Sequence, residues 1–366
     1  MQRTFSRRTF LRLTGLSAAA AAAAPPFSRA LATPTRRDVP NVDETISYNE
    51  LYNDPPMLGR AEAIWIAIWD RPGIPANRVG SVLYDDVIPI LGSVRTEGYW
   101  SSPQNDVWYR TLDGWIHSSH LVPCREVFHE PEAVIGDGFW GEITVPTSWQ
   151  HFRPSLQSTR YFDLAYGTVY WVKDRADDNE GRAWYRIVDD LGPKTAWWVQ
   201  AKHVRRVEQH EFDPISPHVE NKRVVIDLDA QDLTAFENDV PVYQTRIASG
   251  TNFPDDEGNI HYFSTAPGDY TIQRKKPSRR MVGGEEADDF FDLPGVPWVS
   301  YFTNKGAALH GTYWHNDYGR PRSHGCINVT NDAAKWLYRW VMPYAGYHED
   351  YYWTQPGDLA TEIKIV

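Results

Sequence analysis

A block of residues occurs twice in the N-terminal part of the chain, and this repeat limits what that part can fold into. Val107-Trp108-Tyr109-Arg110-Thr111-Leu112-Asp113 is echoed by Ala183-Trp184-Tyr185-Arg186-Ile187-Val188-Asp189. Trp115-Ile116-His117-Ser118-Ser119-His120-Leu121 is echoed by Trp198-Val199-Gln200-Ala201-Lys202-His203-Val204. The offset is 76 at the first block (184 − 108) and 83 at the second (198 − 115), so the later copy carries a seven-residue turn insertion. Self-similarity at a fixed spacing means two copies of one structural unit. Trp108, Arg110 and Leu112 alternate with Tyr109 and Thr111, the period-two pattern of half-buried strands. From about Arg60 onward, short β-branched and aromatic runs are broken by Gly, Pro, Asn and Asp, so β-structure is expected throughout.

Each copy ends in a Trp-Ile/Val strand and a His-Leu/Val turn, and in this the pair resembles bacterial SH3-like domains. Domains are expected at 59–128 and 129–210, with a hinge at 211–220 marked by Pro214 and Pro217. The length of 366 residues accommodates these and one further domain. Sixteen Trp against four Met suit small barrels with aromatic cores. A net charge of −11 speaks against a nucleic-acid partner, because neutralising phosphates needs clustered Lys and Arg. The two cysteines, Cys124 and Cys326, are too few for a disulfide framework.

Residues 1–32 read as an address label. Arg3, Arg7, Arg8 and Arg12 precede an Ala-rich run from Leu13 to Ala24, Pro25 and Pro26 end it, and Ala30-Leu31-Ala32 offers a small-x-small cleavage site. The run is too short to span a bilayer as a helix. Ser6-Arg7-Arg8-Thr9-Phe10-Leu11 resembles a twin-arginine export signal, which implies a chain exported from a prokaryotic cytoplasm. Residues 33–58 are a linker rich in Pro, Asn and Asp, and no transmembrane segment is expected in the mature chain. The acidic runs Asp255-Asp256-Glu257 and Glu285-Glu286-Ala287-Asp288-Asp289 lack calcium-loop spacing and read as solvated loops.

The chemistry is concentrated between His310 and Val329. A thiol is a weak nucleophile until a base or local dipoles generate its thiolate. Cys326 has histidines 16 and 2 residues before it, His310 and His324. Gly325 removes a side chain beside the thiol, so a carbonyl can approach and the amides of Gly325 and Cys326 can receive an oxyanion. His310, His315, His324 and Cys326 also include zinc-ligand types, which leaves a metal reading open on residue chemistry alone.

His310-Gly311-Thr312, a loop, and Ser323-His324-Gly325-Cys326-Ile327-Asn328 closely resemble the signature of YkuD-type L,D-transpeptidases. Val224-Val225-Ile226-Asp227-Leu228, Gln231-Asp232-Leu233, Ala248-Ser249-Gly250 and Thr265-Ala266-Pro267-Gly268 extend the resemblance, which covers roughly 221–345 of an expected catalytic domain at 221–366. It implies a β-rich sandwich following the two SH3-like barrels, in a mainly β chain; past the motif, Thr330 or Asn331 can cap a short helix burying Trp336, Leu337, Trp340 and Val341. It implies Cys326 as nucleophile, His310 as general base oriented by the Gly311 carbonyl, and Ser323, His324, Gly325 and Asn328 shaping the pocket and oxyanion site. His324 competes with His310 for the base role, because two residues apart on a strand side chains share a face. Arg320 and Arg322 are candidates for a substrate carboxylate. The implied partners are peptidoglycan stem peptides, with carbapenem β-lactams as inhibitors, and the implied reaction needs no metal or other cofactor. The implied activity is stem-peptide cross-linking. The alternatives are hydrolysis of the same thioester, making an L,D-carboxypeptidase, and a non-catalytic wall-binding protein. The N-terminal domains would then bind cell wall without touching the chemistry.

Overall fold

The computed structural model describes residues 57–96, 105–190, 196–254, 260–284 and 290–366. The expected export signal at 1–32, nearly all of the linker at 33–58, and both acidic runs lie outside the described residues. The described chain is mainly β, with one α-helix among the described residues, Asn331–Trp340.

Each copy of the repeat builds the same local structure. In the first, Val107–Arg110 pairs with Trp115–His117, a 3-10 turn covers Ser118–His120, and Leu121–Cys124 follows as a strand. In the second, Ala183–Val188 pairs with Ala196–Gln200, the turn covers Ala201–His203, and the strand is Val204–Arg206. The first copy lies within a five-stranded and a three-stranded sheet, the second within a seven-stranded sheet. A tryptophan anchors each hairpin: Trp108 and Trp184 are fully buried, each edge-on to a histidine, His117 and His151.

From Lys222 the chain forms two five-stranded sheets. Lys222–Asp227 pairs antiparallel with Asp232–Glu237 and parallel with the C-terminal strand Glu362–Ile365. The second sheet is built on Phe291–Tyr301, whose partners are Arg274–Gly283 and Ala308–Gly311. The helix packs on this sheet. Thr330 caps it, its hydroxyl accepting the Ala333 amide at 3.2 Å, and Ala333, Ala334, Leu337, Tyr338 and Trp340 are buried. Trp336, expected in the core, is only partly buried and stacks on Tyr243, with ring centroids 4.2 Å apart.

The second repeat does not stand apart from this region. One apolar core runs without a break from Phe139 and Tyr185 through Phe212 to Trp298, Leu337 and Ile363. Polar ties reinforce it: Arg280 pairs with Asp189 at 2.9 Å and with Asp292 at 2.6 Å, and the Trp140 indole donates to the Tyr347 carbonyl at 2.9 Å. The first repeat keeps its own small core of Ala61, Ile66, Ile68, Val82, Ile116 and Leu121.

Candidate active site

His310 and Cys326 are brought together by a parallel strand pair. Ala308–Gly311 runs beside Ile327–Val329, with Leu309 opposite Ile327, His310 opposite Asn328 and Gly311 opposite Val329. Parallel neighbours cannot be joined by a tight hairpin, so a crossover is obligatory, and here residues 312–326 provide it. Cys326 is the last residue of that crossover, immediately before the strand.

Residues 324–326 form a bend, not strand, and Ser323 just before them makes an isolated bridge to Gly250. Gly325 has φ +102°, a conformation glycine adopts without strain. The bend is tied down from both sides. Ser323 Oγ donates to the Cys326 carbonyl at 2.5 Å and accepts the Gly325 amide at 3.2 Å. Thr265 Oγ1 donates to the Gly325 carbonyl at 3.1 Å and accepts the Gly250 amide at 2.8 Å. Gly250 allows this close approach: a Cβ there would lie 2.1 Å from the Phe263 carbonyl oxygen and 2.7 Å from Gly325 Cα. Gln231 braces the same segment, accepting the Ser249 amide at 3.0 Å and donating to its hydroxyl at 2.8 Å.

The His310 ring is buried, and its Nδ1 lies 2.9 Å from the Gly311 carbonyl. A carbonyl only accepts, so Nδ1 carries the proton and Nε2 keeps a free lone pair, the tautomer a general base needs. Burial pulls this imidazole down to about 4, a pull the Gly311 carbonyl only partly offsets. The Cys326 thiol is half-buried, donates to the Gly306 carbonyl at 3.7 Å, and is pushed up to about 11 by burial against a small opposing effect of the Ala308 backbone. At neutral pH the resting site therefore holds a neutral thiol and a neutral imidazole.

His324 points elsewhere. Its ring lies against Phe263 and Phe291, with centroids 4.5 and 5.1 Å away. The shared-face expectation presumed a strand at 324–326, and the bend at Gly325 removes it. Asn328 meets His315, Nδ2 to Nε2 at 2.9 Å. Arg320 and Arg322 both reach Asp317, Nε to Oδ2 at 3.7 and 3.3 Å. Burial works against ionising Asp317, yet Arg322 and Arg320 hold its carboxyl below the usual range. The described residues contain no group of three or more His, Cys, Asp or Glu side chains placed to hold a metal ion. Cys124 is free and buried, and burial pushes its thiol up to about 12.

Sequence reasoning missed the part played by His315, Asn316 and Asp317 and by Gly250. The crossover that a parallel pair demands was the one signal pointing to the first three.

A thiol and a buried, neutral imidazole with an unprotonated Nε2, at the edge of a β-sandwich, define a site suited to cysteine acyl transfer. Residues 221–360 match the YkuD family, the L,D-transpeptidase catalytic domain. Among solved structures, the chain is similar to an L,D-transpeptidase (residues 123–326) from Xylanimonas cellulosilytica, at 25% identity and a TM-score of 0.29, covering 40% of this chain and 60% of that one. It is also similar to an L,D-transpeptidase from Mycobacterium smegmatis, at 18% identity and a TM-score of 0.30, covering 50% of this chain and 90% of that one. A third, the LD transpeptidase LdtMt1 in complex with imipenem, shares 16% identity at a TM-score of 0.30, covering 66% of this chain and 97% of that one. No curated protein matches the chain.

Proposed function

We propose that the chain is an exported peptidoglycan L,D-transpeptidase acting through a thioester on Cys326. The observation that carries the reading is the placement of His310 and Cys326 by neighbouring parallel strands within the region that matches the YkuD family. Cys326 Sγ attacks the carbonyl between the L-centre of a diamino residue and a terminal D-residue, while His310 Nε2 takes the thiol proton. The tetrahedral intermediate places its negative charge on the former carbonyl oxygen, where the amide of Cys326 is the candidate donor, that of Gly325 being held by Ser323 Oγ. Collapse forms the thioester, and the imidazolium proton leaves on the amine of the released D-residue. An amine of a second stem then attacks the thioester, gives a proton back to His310, and leaves a new amide with the thiol restored.

Nothing in this cycle calls on a metal. The bent, firmly braced approach to Cys326 supports covalent catalysis, and a carbapenem is the expected inhibitor, acylating the same sulfur. The twin-arginine-like start supports export, and no helix of the described residues is long and apolar enough to cross a membrane. The SH3-like units would hold the enzyme on the wall. Incubation with muropeptides, read by mass spectrometry, tests the reading. Cross-linked dimers are expected; trimmed monomers would make it an L,D-carboxypeptidase, and unchanged muropeptides would overturn it.

A further inference from the structure

The crossover 312–326 is irregular, yet most of it from Thr312 to Gly319 is buried. A buried loop must find partners for its polar groups. Some come from its own domain: the amides of Gly319 and Arg322 donate to the carbonyls of Ile247 and Ser249, both at 2.8 Å. The rest come from the first repeat. Arg60 donates to the Tyr313 carbonyl at 2.9 Å. Asn316 Nδ2 donates to Tyr109 Oη at 3.1 Å and to the Ser118 carbonyl at 3.2 Å. Close by, Arg246 meets Asp106 at 3.3 Å.

The receiving surface is itself held firmly. The His117 ring bridges the Asn105 carbonyl at 2.8 Å and Ser119 Oγ at 2.6 Å, and Ser118 Oγ donates to Asn105 Oδ1 at 3.0 Å. The second repeat does not offer the same surface. There the position of Tyr109 is Tyr185, whose hydroxyl accepts the Glu132 amide at 2.6 Å, and the position of Ser118 is Ala201.

On the other side, Asn316 is flanked by residues that lead to the thiol. The Asp317 amide donates to His315 Nδ1 at 3.2 Å, so the neutral ring carries its proton on Nε2, toward Asn328 at 2.9 Å. The Asn328 amide must then turn its oxygen to that proton. Asn328 stands opposite His310 and two residues after Cys326.

We propose that the first N-terminal repeat is a working part of the active site. Asn316, gripped by Tyr109 and Ser118, is a positioning residue that fixes His315 and, through it, Asn328 beside His310 and Cys326. The inference rests on reading Cys326 as the nucleophile, and it replaces the picture of a catalytic domain that works without its N-terminal neighbours.

The test uses the full chain and follows iodoacetamide alkylation of Cys326 by intact mass across about pH 6 to 10, with a melting curve for each variant. Asn316→Asp keeps the shape of the side chain and removes both donors; Tyr109→Phe removes one acceptor. Phe152→Ala, at an exposed ring of the second repeat, is the control. Asn316→Asp should lower the rate near neutral pH by about tenfold or more, the scale expected when reacting groups are misplaced. Its pH profile should collapse to that of an unassisted buried thiol, rising about tenfold per pH unit across the range, Tyr109→Phe should show a smaller drop in the same sense, and Phe152→Ala should match wild type. A merely structural contact would lower the melting temperature and leave the pH profile in place. Unchanged rate and profile in folded Asn316→Asp overturn the inference; if that variant does not fold, the same result in Tyr109→Phe does so. The variant-to-wild-type ratio decides this whatever the wild-type profile is. A wild-type profile already that of an unassisted buried thiol would count against the proposed reaction instead.

Discussion

His310 and Asn328 stand opposite each other in the parallel pairing of Ala308–Gly311 with Ile327–Val329. Residues paired in this way project to the same face, so the imidazole and the amide share one face of the sheet, two residues along from Cys326. The His310 ring is walled by Trp314, with centroids 5.8 Å apart, and its proton is fixed on Nδ1 by the Gly311 carbonyl. The site is thus built from backbone pairing first and side-chain chemistry second.

A covalent role for Cys326 has a direct consequence. With its thiol pushed up to about 11, only about one molecule in ten thousand carries a thiolate at pH 7, so reactivity depends on proton transfer during attack. Cys326→Ala and Cys326→Ser should both remain folded and lose transfer activity by about 1,000-fold or more. Muropeptide turnover measures this, and intact mass after carbapenem exposure should show one adduct on wild type and none on Cys326→Ala. Substantial turnover by the serine variant would rule out a thioester.

The two histidines should separate cleanly. His310→Ala removes the imidazole fixed by the Gly311 carbonyl and should cost about 100- to 10,000-fold in turnover. His324 packs between Phe263 and Phe291, so His324→Ala should cost less, through a loosened bend. A larger loss for His324→Ala than for His310→Ala, in kinetics on the same substrate, would reverse the assignment of the base.

Much of this arrangement was legible in the sequence, for identifiable reasons. The repeat is local, so the hairpin, turn and strand of each copy could be read from alternation around Trp108 and Trp184. The order His310, Gly311, Cys326, Asn328 was readable through its resemblance to the YkuD signature. The bend at 324–326 was not legible, because alternation across His324 and Cys326 looks like strand until the positive φ of Gly325 is known. The docking of Asn316 on Tyr109 and Ser118 was hidden for another reason. It joins residues about two hundred positions apart, and a half-buried asparagine in a loop carries no periodic signal. The core shared by the second repeat and the catalytic region was invisible on the same grounds, since buried rings such as Tyr185 equally suit a closed barrel.

Gly250 offers a sharp test of how tightly the bend is packed. A methyl group there meets backbone on three sides: the Phe263 oxygen at 2.1 Å, Gly325 Cα at 2.7 Å and the Thr265 nitrogen at 2.7 Å. None of these is a flexible chain end, so Gly250→Ala should destabilise by about 3 kcal/mol and displace Gly325, dropping Cys326 alkylation as well. Gly136 is the comparison. It has φ +63° and nothing within 4 Å of where a methyl would sit, so Gly136→Ala should cost only about 1 kcal/mol and leave alkylation unchanged. Chemical denaturation and alkylation rates together check both. Equal stability losses for the two variants would mean that the bend gives way more easily than its contacts suggest.

Acid should weaken the fold before any carboxylate pairs are lost. Burial pulls His310 down to about 4 and His315 to about 3, from an ordinary value of 6.5 in the unfolded chain. Between those values the unfolded chain takes up protons that the native chain refuses, so stability is complete above about pH 6.5 and falls as pH drops through this window. His120 and His203, both pulled to about 4 by burial, act in the same direction. The His310 and His315 rings alone set an upper slope on the order of 3 kcal/mol per pH unit, two protons at about 1.36 each. Glu142 opposes this, because burial raises its carboxyl and lets the native chain take up a proton as the pH falls. Urea midpoints at about pH 7, 6 and 5.5 in a Glu142→Gln background isolate the histidines from that opposing group. The midpoint should fall steadily across the three. A flat midpoint would mean that His310 and His315 accept protons without leaving their places, and a neutral His310 could then no longer be the resting state of the site.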